Sequence, residues 1–414
     1  MMGDILFLAH RVPFPPDRGD KIRSFNILQK LCRLAPAHVA CFADDAEDIA
    51  HGDALRPMLG SLHIEERTTS RTAGAIKALA SGKPISLTMF DSKAIREFVE
   101  RTLAERDIDT VFVFSGQMAQ FVPVLSADAR FVMDFGDVDS AKFAAYGQTT
   151  GFPMNLVHRR EAAKLARFES AVAHKADASL FVSDAEAALF RERTGASNVL
   201  TLENGIDCDT FDPDSFAAEF AEPLSEISGD GPLLVFTGQM DYRPNIEAVR
   251  SFAEEVLPDI RKQRPDARFA IVGRHPTAEV RKLEQREGVI VTGGVPDIRS
   301  WLAAADVVVA PLRMARGIQN KVLEAMAMAR PVVASRPAYE GIDAVPGRDL
   351  VVAESPAEEA QAVLALLADP ERAAALGKAA RQRMLDRYSW QSTLAPLAEI
   401  VGRNGQAELA EAAE

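Results

Sequence analysis

The sequence has little of what several protein classes require. Its three cysteines, Cys32, Cys41 and Cys208, are too few for a disulfide framework and show no C-x-x-C spacing. No stretch approaches the roughly 18 to 20 apolar residues of a membrane-spanning helix. The N-terminus has no basic segment followed by an apolar run of signal-peptide length. We therefore expect buried free thiols and a cytoplasmic protein.

Common metal and nucleotide motifs are missing as well. The seven histidines form no H-E-x-x-H motif, and the sequence has neither a Walker A motif nor the G-x-G-x-x-G fingerprint. The formal net charge of −13 argues against nucleic acid as the main partner.

The chain does have the composition of an ordinary globular protein. It has 414 residues, of which 47% are apolar and 26% charged. At roughly 150 residues per domain, this length predicts two or three domains.

Short apolar runs alternate with longer amphipathic segments. The runs are continuous and rich in Val, Ile and Phe, as is typical of strands buried on both faces of a parallel sheet. They fall into two series: 5–9, 38–43, 110–114, 131–135, 178–183 and 199–202, then 233–237, 269–272, 289–292, 306–310, 331–334 and 350–353. Helical periodicity is clearest at 155–174, 245–264, 319–329 and 356–368. The pattern predicts an α/β protein with two doubly wound, Rossmann-like parallel-sheet domains.

A break between the two series marks the domain boundary. Asn204-Gly205 is a turn signal, and the following acidic stretch is interrupted by Pro, Gly and Ser. We therefore assign 1–205 to the N-terminal domain and 206–388 to the C-terminal domain, with 206–230 as a linker region.

Ligands bind beyond the carboxyl ends of the strands in such sheets, so the loops after strands are the candidate sites. The loop after the first strand carries His10, Arg18, Gly19 and Lys21. A helix start at Gly19 with flanking cations favours a phosphate or an acceptor, although a rigid surface turn explains the same residues.

In the second half, glycines follow three strands, at Gly238, Gly273 and Gly293-Gly294. The stretch 311–327 then combines Arg316 and Lys321 with the start of a helix, which favours a diphosphate. Glu324, further into that helix, can accept hydrogen bonds from a ribose diol. The alternative is a carboxylate that only complements the helix dipole.

Several segments resemble the family-4 retaining glycosyltransferases of the GT-B fold. Residues 321–334 are similar to the signature LEAMAxGxPVVA, and 202–207 with Phe211 resembles NGVD…F. Tyr388-Ser389-Trp390 resembles the motif that opens the last helix of this fold. The segments 15–26, 134–140 and 237–245 resemble sugar transferases associated with exosortase/PEP-CTERM exopolysaccharide loci.

The resemblance implies two domains facing across a cleft, with a C-terminal helix, 389–403, that returns to the first domain. It implies a nucleotide-sugar donor held mainly by the C-terminal domain, a glycan acceptor held mainly by the N-terminal one, and transfer with retention. It implies no metal requirement and no cofactor. The candidate donor-binding residues are Gly19, Gly238, Gln239, Arg243, Arg274, Gly294, Val295, Gly317, Gln319, Asn320, Lys321 and Glu324. The candidate acceptor-binding residues are His10, Arg18, Lys21, Asp137 and Asp139.

The sequence departs from the family pattern at three places. The first Glu of the family's Glu-x7-Glu pair would fall at position 316, which is Arg316. The usual Arg and Lys diphosphate clamp has Gln239 and Arg243 in its region, and no His stands in the loop 115–118.

We expect Arg316 and Lys321 to replace the lost positive charge and to stabilise the leaving diphosphate. With Glu324, and with Asp134 or Asp137 orienting the acceptor, they are the candidate catalytic residues.

Asp137-Val138-Asp139 also invites other interpretations. Clustered carboxylates repel one another unless they are hydrogen-bonded or bind a metal. Binding of an acceptor hydroxyl, a structural turn and a metal site all stay open for this segment, and the resemblance favours a metal-independent enzyme.

Basic residues suggest contact with a membrane surface. Lys21, Arg23, Lys30 and Arg33 lie on the predicted first helix, and a further set flanks a small-residue apolar stretch, Arg67, Arg71, Lys77 and Lys83. Such segments can lie on anionic lipid, and a solvated helix face is the alternative.

We therefore expect a glycosyltransferase of the hexosyltransferase type that extends a lipid-linked glycan in exopolysaccharide synthesis, peripheral on the inner face of the cell membrane. A catalytically silent scaffold with the same fold, or a nucleotide-sugar epimerase, are the alternatives. Slow hydrolysis, interconversion or no turnover of nucleotide sugars distinguishes the three.

Overall fold

A computed structural model describes residues 3–69, 71–214, 231–315 and 318–403. The chain divides into two compact units. The N-terminal unit comprises Met1–Asn204 and Thr393–Glu414, and the C-terminal unit comprises Gly205–Ser392. The division lies one residue from the boundary expected after Gly205.

The described part of the N-terminal unit contains a seven-stranded parallel sheet in the order β3-β2-β1-β4-β5-β6-β7. Its strands are β1 Asp4–Ala9, β2 Ala37–Ala43, β3 Ser61–Glu66, β4 Ile108–Phe114, β5 Arg130–Gly136, β6 Ala178–Phe181 and β7 Val199–Thr201. Its helices before the C-terminal return are α1 Gly19–Leu34, α2 Ala46–Asp53, α3 Arg71–Ser81, α4 Ile85–Met89, α5 Lys93–Glu105, α6 Asp139–Thr149, α7 Met154–Ala173 and α8 Asp184–Thr194.

The described part of the C-terminal unit contains a six-stranded parallel sheet in the order β10-β9-β8-β11-β12-β13. Its strands are β8 Leu233–Thr237, β9 Arg268–Val272, β10 Val289–Gly293, β11 Val307–Ala310, β12 Val332–Ser335 and β13 Val351–Ala353. The helices that follow β8 are α9 Arg243–Ser251, α10 Leu257–Gln263, α11 Ala278–Lys282, α12 Ile298–Ala304, α13 Asn320–Ala327, α14 Arg336–Tyr339, α15 Pro356–Ala368, α16 Pro370–Arg383 and α17 Trp390–Thr393. The last helix of the described residues, α18 Leu397–Ile400, belongs to the N-terminal unit.

The central strands of both sheets are buried, as their continuous apolar sequences predict. Every residue of β2 and of β8 is buried, because helices cover both faces of a parallel sheet. In each sheet the strand order reverses beside the first strand, at β1/β4 and at β8/β11. Loops beyond the carboxyl ends at these two reversal points are where doubly wound folds bind ligands. The predicted α/β class with two Rossmann-like sheets is confirmed.

Strand β3 was not predicted from the sequence. It is an edge strand with the sequence SLHIEE, and none of its residues is fully buried. A strand exposed in this way carries polar residues, so the apolar run that identifies its neighbours is missing.

The predicted C-terminal helix over 389–403 is wrong in its extent. The segment forms two four-residue helices, α17 and α18, with Pro396 at the start of the second. Proline lacks the backbone N–H that a continuous helix requires at that position. Residues 245–264 are likewise interrupted, by a π-helical turn at Phe252–Val256 between α9 and α10.

Candidate functional site

In the C-terminal unit, the loops after β8 and β9 approach each other closely through glycine. The backbone N–H of Gly238 donates to the carbonyl of Val272 at 3.0 Å. A Cβ atom added to Gly273 would lie 1.6 Å from the carbonyl oxygen of Gly238. A side chain at position 273 would therefore force the backbone at the end of β8 to move.

The ammonium group of Lys321 lies at this point. Lys321 stands in the first turn of α13, and its Nζ donates to Asn245 Oδ1 at 2.5 Å and lies 4.4 Å from the centre of the Phe236 ring. The same Nζ is 3.2 Å from the position that a Cβ atom on Gly238 would take. Burial lowers the pKa of Lys321 to about 8, against the attraction of Glu324. A cation is thus held beside glycine backbone at the reversal point of the sheet.

Glu324 lies one helical turn after Lys321. Burial raises the pKa of Glu324, and the charge of Lys321 opposes that rise. The two residues place an acid and a base side by side in the first turns of one helix, where the N-terminal end also favours an anion.

The other predicted donor residues lie around this pair in different ways. Gln239 is exposed, and its carbonyl accepts a hydrogen bond of 2.8 Å from Asn245 Nδ2. Gly294 and Arg274 are both exposed, and a Cβ atom on Gly294 would lie 3.4 Å from Arg274 Cγ, whereas Val295 is half-buried. Gln319 is the N-cap residue of α13.

Arg243 does not join the cluster at Lys321 in this structure. Its guanidinium group is mostly exposed and pairs with Glu247 at 2.7 Å and with Glu279 at 3.7 Å. Asn320, the first residue of α13, is exposed. Arg316 and Gly317 lie outside the described residues, so their predicted roles stay predictions.

Sequence reasoning missed three residues that position this site. Asn245 orients the ammonium group of Lys321, and the Pro244-Asn245 pair at the start of a helix was the available signal. Arg313, in the loop after β11, donates to Ser251 Oγ at 3.1 Å and lies 3.4 Å from Glu359 Oε1. Burial raises the pKa of Glu359 to about 7, against the charge of Arg313. Arg313 therefore fastens the loop that precedes α13 to the helices beside it.

In the N-terminal unit, His10 follows β1 at the equivalent reversal point. Its ring is buried, stacks on Phe114 at 5.7 Å between centroids and meets Phe90 edge-on at 6.1 Å. Its Nε2 lies 3.2 Å from Asp20 Oδ2, and burial lowers the pKa of His10. His10 is therefore a neutral imidazole at pH 7 with most of its surface against protein.

Charged residues link the loops that follow the first three strands of the N-terminal unit. Asp44 accepts from Arg11 at 2.8 Å and from Arg67 at 2.6 Å, and Arg18 lies 3.2 Å from both Asp44 and Asp20. Although burial opposes it, the hydrogen bonds from the arginines hold the pKa of Asp44 below its usual range. Of these residues, Arg18 has the most exposed side chain, which suits its predicted contact with a ligand.

Lys21 is a correction to the predicted acceptor site. It is buried, and its Nζ donates to Asp48 Oδ1 at 2.6 Å. The pairing fixes α1 against the start of α2 and leaves no exposed ammonium group. Two of the four cations predicted to form a basic membrane face on the first helix, Lys21 and Arg23, are buried and cannot contact lipid.

Asp134 is a second correction. Its side chain is fully buried, with Oδ2 3.0 Å from the guanidinium group of Arg23 and Oδ1 accepting from the backbone of Gly136 at 3.0 Å. Arg23 also donates to Asn204 Oδ1 at 2.9 Å. Burial raises the pKa of Asp134, and Arg23 lowers it. Because no surface of Asp134 is open to a ligand, it positions the loop after β5 and does not orient an acceptor directly.

Asp137 and Asp139 lie on the accessible side of that loop. Asp137 is exposed, and Asp139 is half-buried at the start of α6 with Lys142 at 3.7 Å. Burial raises the pKa of Asp139, and the charge of Lys142 opposes that rise. Within the described residues, no group of three or more His, Cys, Asp or Glu side chains could hold a metal ion.

Gly19, at the start of α1, is exposed with open space around its Cα atom.

None of the helices in the described ranges is long and apolar enough to cross a membrane.

Comparison with known proteins identifies the family and the fold. Residues 231–369 match the family model described as glycosyl transferases group 1. The chain is 30% identical over 340 residues to a GDP-mannose-dependent alpha-(1-6)-phosphatidylinositol monomannoside mannosyltransferase from Mycolicibacterium smegmatis. That alignment spans 78% of this chain and 84% of that protein.

Two solved structures have the same architecture over almost the whole chain. Sucrose-phosphate synthase from Thermosynechococcus elongatus matches with a TM-score of 0.61 at 19% identity, covering 99% of this chain and 100% of that one. Anabaena Alr3699/HepE in complex with UDP matches with a TM-score of 0.61 at 17% identity, covering 96% and 98%.

These likenesses, together with the two Rossmann-like sheets, assign the GT-B architecture. The chain is a glycosyltransferase that belongs to the group 1 family and uses a nucleotide-sugar donor.

Proposed function

We propose that this chain is a retaining hexosyltransferase that moves a sugar from a nucleoside-diphosphate donor to a lipid-linked glycan during exopolysaccharide synthesis. The main observation in support of donor binding is that the buried ammonium group of Lys321 lies beside the glycine backbone of Gly238. The matched relative acts on a phosphatidylinositol monomannoside, which supports a lipid-linked acceptor. A role in exopolysaccharide synthesis is supported by the resemblance of segments 15–26, 134–140 and 237–245 to sugar transferases of exopolysaccharide loci.

The proposed chemistry uses the donor's own phosphate. The bond between C1 of the sugar and the phosphate oxygen breaks, and the acceptor oxygen bonds to C1 on the same face. The acceptor proton passes to the departing phosphate oxygen, so no enzymic nucleophile is required. Lys321, the N–H groups at the start of α13 and Arg316 would stabilise the negative charge that develops on the diphosphate.

The proposed positions of the substrates follow the two reversal points. Glu324 would accept hydrogen bonds from the donor ribose, while Gln239, Arg274, Gly294 and Val295 would contact the rest of the nucleotide. On the acceptor side, Asp137, Asp139 and Arg18 are accessible, and His10 would shape the floor between them. We propose no metal ion and no cofactor in this reaction.

Replacement of Lys321 tests the proposal. Lys321→Ala should lower kcat/KM by at least about 100-fold, because stabilisation of developing charge by one group is typically worth that much. The matched control is Lys378→Ala, which removes an exposed lysine of the same unit. Transfer would be followed with UDP- and GDP-sugars, and folding by thermal unfolding. Near-wild-type transfer by a folded Lys321→Ala variant would overturn the role of this residue.

Arg316 in place of the family's first Glu favours one competing function, a scaffold that binds nucleotide without turnover. The same experiment separates the two. A thermal shift with UDP or GDP, but no hydrolysis or transfer of any nucleotide sugar, would support the scaffold and contradict the transferase.

A further inference from the structure

One face of the N-terminal unit exposes large apolar side chains. Ile76 and Leu79 on α3 are 65% and 71% exposed, Phe152 just before α7 is 81% exposed, and Leu156 in its first turn is 54% exposed. With Lys77 and Lys83 they form what we call the basic apolar face. Exposed apolar groups that cluster in this way mark contact surfaces.

The two helices that carry this face are joined. Arg160 Nη2 on α7 donates to the carbonyls of Ala78 at 2.8 Å and of Lys83 at 3.2 Å. Leu156 lies one turn before Arg160 on the same side of α7, and Phe152 lies two residues before that helix begins at Met154. The hydrogen bonds of Arg160 therefore connect the first turns of α7 to the C-terminal end of α3.

The outward direction of Ile76 and Leu79 is fixed by the packing of α3 on α4. Ala78 is fully buried, and the carbonyl of Gly74 accepts a hydrogen bond of 2.8 Å from Thr88 Oγ1. A Cβ atom on Gly74 would lie 2.7 Å from Met89 Cγ. Small residues let the inner side of α3 pack closely, so its larger side chains are presented outward.

Cations outnumber carboxylates in the segments that form this face. Residues 67–90 contain four basic residues and no Asp or Glu, and residues 140–160 contain Lys142, Arg159 and Arg160 and again no acid. The whole chain has a net charge of −13, so this local absence of acid stands out. Lys77 pairs with Asp91 at 2.6 Å, whereas the Lys83 ammonium group has no ion pair within the described ranges.

We propose that the basic apolar face docks on the surface of an anionic lipid bilayer. Apolar side chains flanked by cations suit a bilayer interface, where the rings and aliphatic groups enter below the headgroups and lysines stay among the phosphates. A second copy of the chain fits less well, because two faces of like charge repel. The inference rests on the proposed lipid-linked acceptor and deepens it, because it names the surface that would bring the enzyme to such a substrate.

Vesicle sedimentation tests the inference. The full chain should sediment with vesicles of phosphatidylcholine mixed with phosphatidylglycerol, sediment much less with phosphatidylcholine alone, and be released by high salt. The double variant Phe152→Ser/Leu156→Ser should bind at least about tenfold more weakly, because two apolar side chains no longer enter the interface. Lys83→Ala should bind about fivefold more weakly.

The matched control is Val124→Ser, which removes a fully exposed apolar side chain beside an acidic neighbour, Asp128. It should sediment like the wild type. Absence of wild-type binding to the anionic vesicles, or equal binding by the double variant, would overturn the inference. A dimer of the wild type that the double variant abolishes would do so as well, because a second copy would then occupy the face.

Failure of this inference is distinguishable from failure of the proposed function. The vesicles contain no glycan acceptor, and nucleotide binding is read separately as a thermal shift with UDP or GDP. If the protein binds nucleotide but not vesicles, only the docking inference is contradicted. If it binds vesicles but not nucleotide, the proposed transferase function is contradicted.

Discussion

At the scale of single residues, Lys321 is both buried and positively charged at neutral pH, although burial usually disfavours a charge. It is largely buried, which lowers its pKa to about 8, and the charge of Glu324 offsets that fall only in part. An amide oxygen of Asn245 and the Phe236 ring stabilise the ammonium group without cancelling its charge. The charge is therefore available to an arriving diphosphate.

This arrangement predicts a dependence of donor binding on pH. Below pH 8 Lys321 is protonated and attracts the diphosphate, and above pH 8 the free protein loses that charge. At pH 9 about one-tenth of the lysine is protonated, so the Kd for UDP or GDP should rise about tenfold between pH 7 and pH 9. Isothermal titration at several pH values would measure it.

Lys321→Arg is the control for this prediction, because arginine stays charged at these pH values. Its Kd should be nearly constant across the same range. An unchanged Kd for the wild-type protein would mean that Lys321 keeps its proton or does not contact the diphosphate.

The same lowered pKa affects stability in the opposite direction. The unfolded lysine binds its proton up to about pH 10.5, whereas the folded one loses it near pH 8. Between these values the unfolded state binds more protons, so this residue makes the fold more stable as the pH rises.

At the scale of secondary-structure elements, the Arg23–Asp134 pair joins α1 to β5. Both side chains are buried, at 4% and 0% exposure, so the loss of one partner leaves an unpaired charge in the interior. Asp134→Ala should lower the free energy of unfolding by about 3–5 kcal/mol, measured by chemical denaturation.

The double variant Arg23→Met/Asp134→Leu should recover most of that loss, since it removes both charges together. If Asp134→Ala instead keeps wild-type stability and loses only transfer, Asp134 has the acceptor-binding role that its burial argues against.

The elements differ in how far the sequence reveals them. Central strands such as β2 and β8 are continuous apolar runs, so their positions follow from composition within a residue or two. In the edge strand β3, apolar residues are interspersed with polar ones, so the sequence shows no continuous apolar run there. The break between α9 and α10 depends on a π-helical turn, which local periodicity does not encode.

For the candidate site, the sequence indicates which loops matter but not which side chains face them. Glycines after strands and the start of α13 mark the donor region without any coordinates. Periodicity on α1 does not show that Lys21 and Arg23 point inward, because their acidic partners lie far away in sequence or on another element. From sequence alone, a charged residue is expected to face solvent, and a residue of a buried ion pair is an exception to that expectation.

At the scale of the whole molecule, the last described residue, Arg403, is hydrogen-bonded to the first described residue, Gly3. Arg403 is buried, and its guanidinium group donates to the carbonyl of Gly3 at 2.9 Å and pairs with Asp109 in β4. Arg403→Ala should lower the unfolding free energy of the N-terminal unit by about 2 kcal/mol, because charged hydrogen bonds to buried groups are lost.

Denaturation would be followed for both units, since a two-unit chain need not unfold in a single step. The control is Arg56→Ala, whose ion pair with Asp53 is more than half exposed and should matter by no more than about 1 kcal/mol. Equal effects of the two substitutions would contradict a fastening role for Arg403.

The return of residues 393–403 to the N-terminal unit has a consequence for biosynthesis. The C-terminal unit is inserted in the sequence between the two segments of the N-terminal unit. Its residues therefore leave the ribosome before the second segment of the N-terminal unit is synthesised. Vectorial synthesis ordinarily lets the first domain mature first. Here the N-terminal unit, which emerges first, is completed only by a segment translated after the C-terminal unit, so the inserted unit can reach its native state earlier.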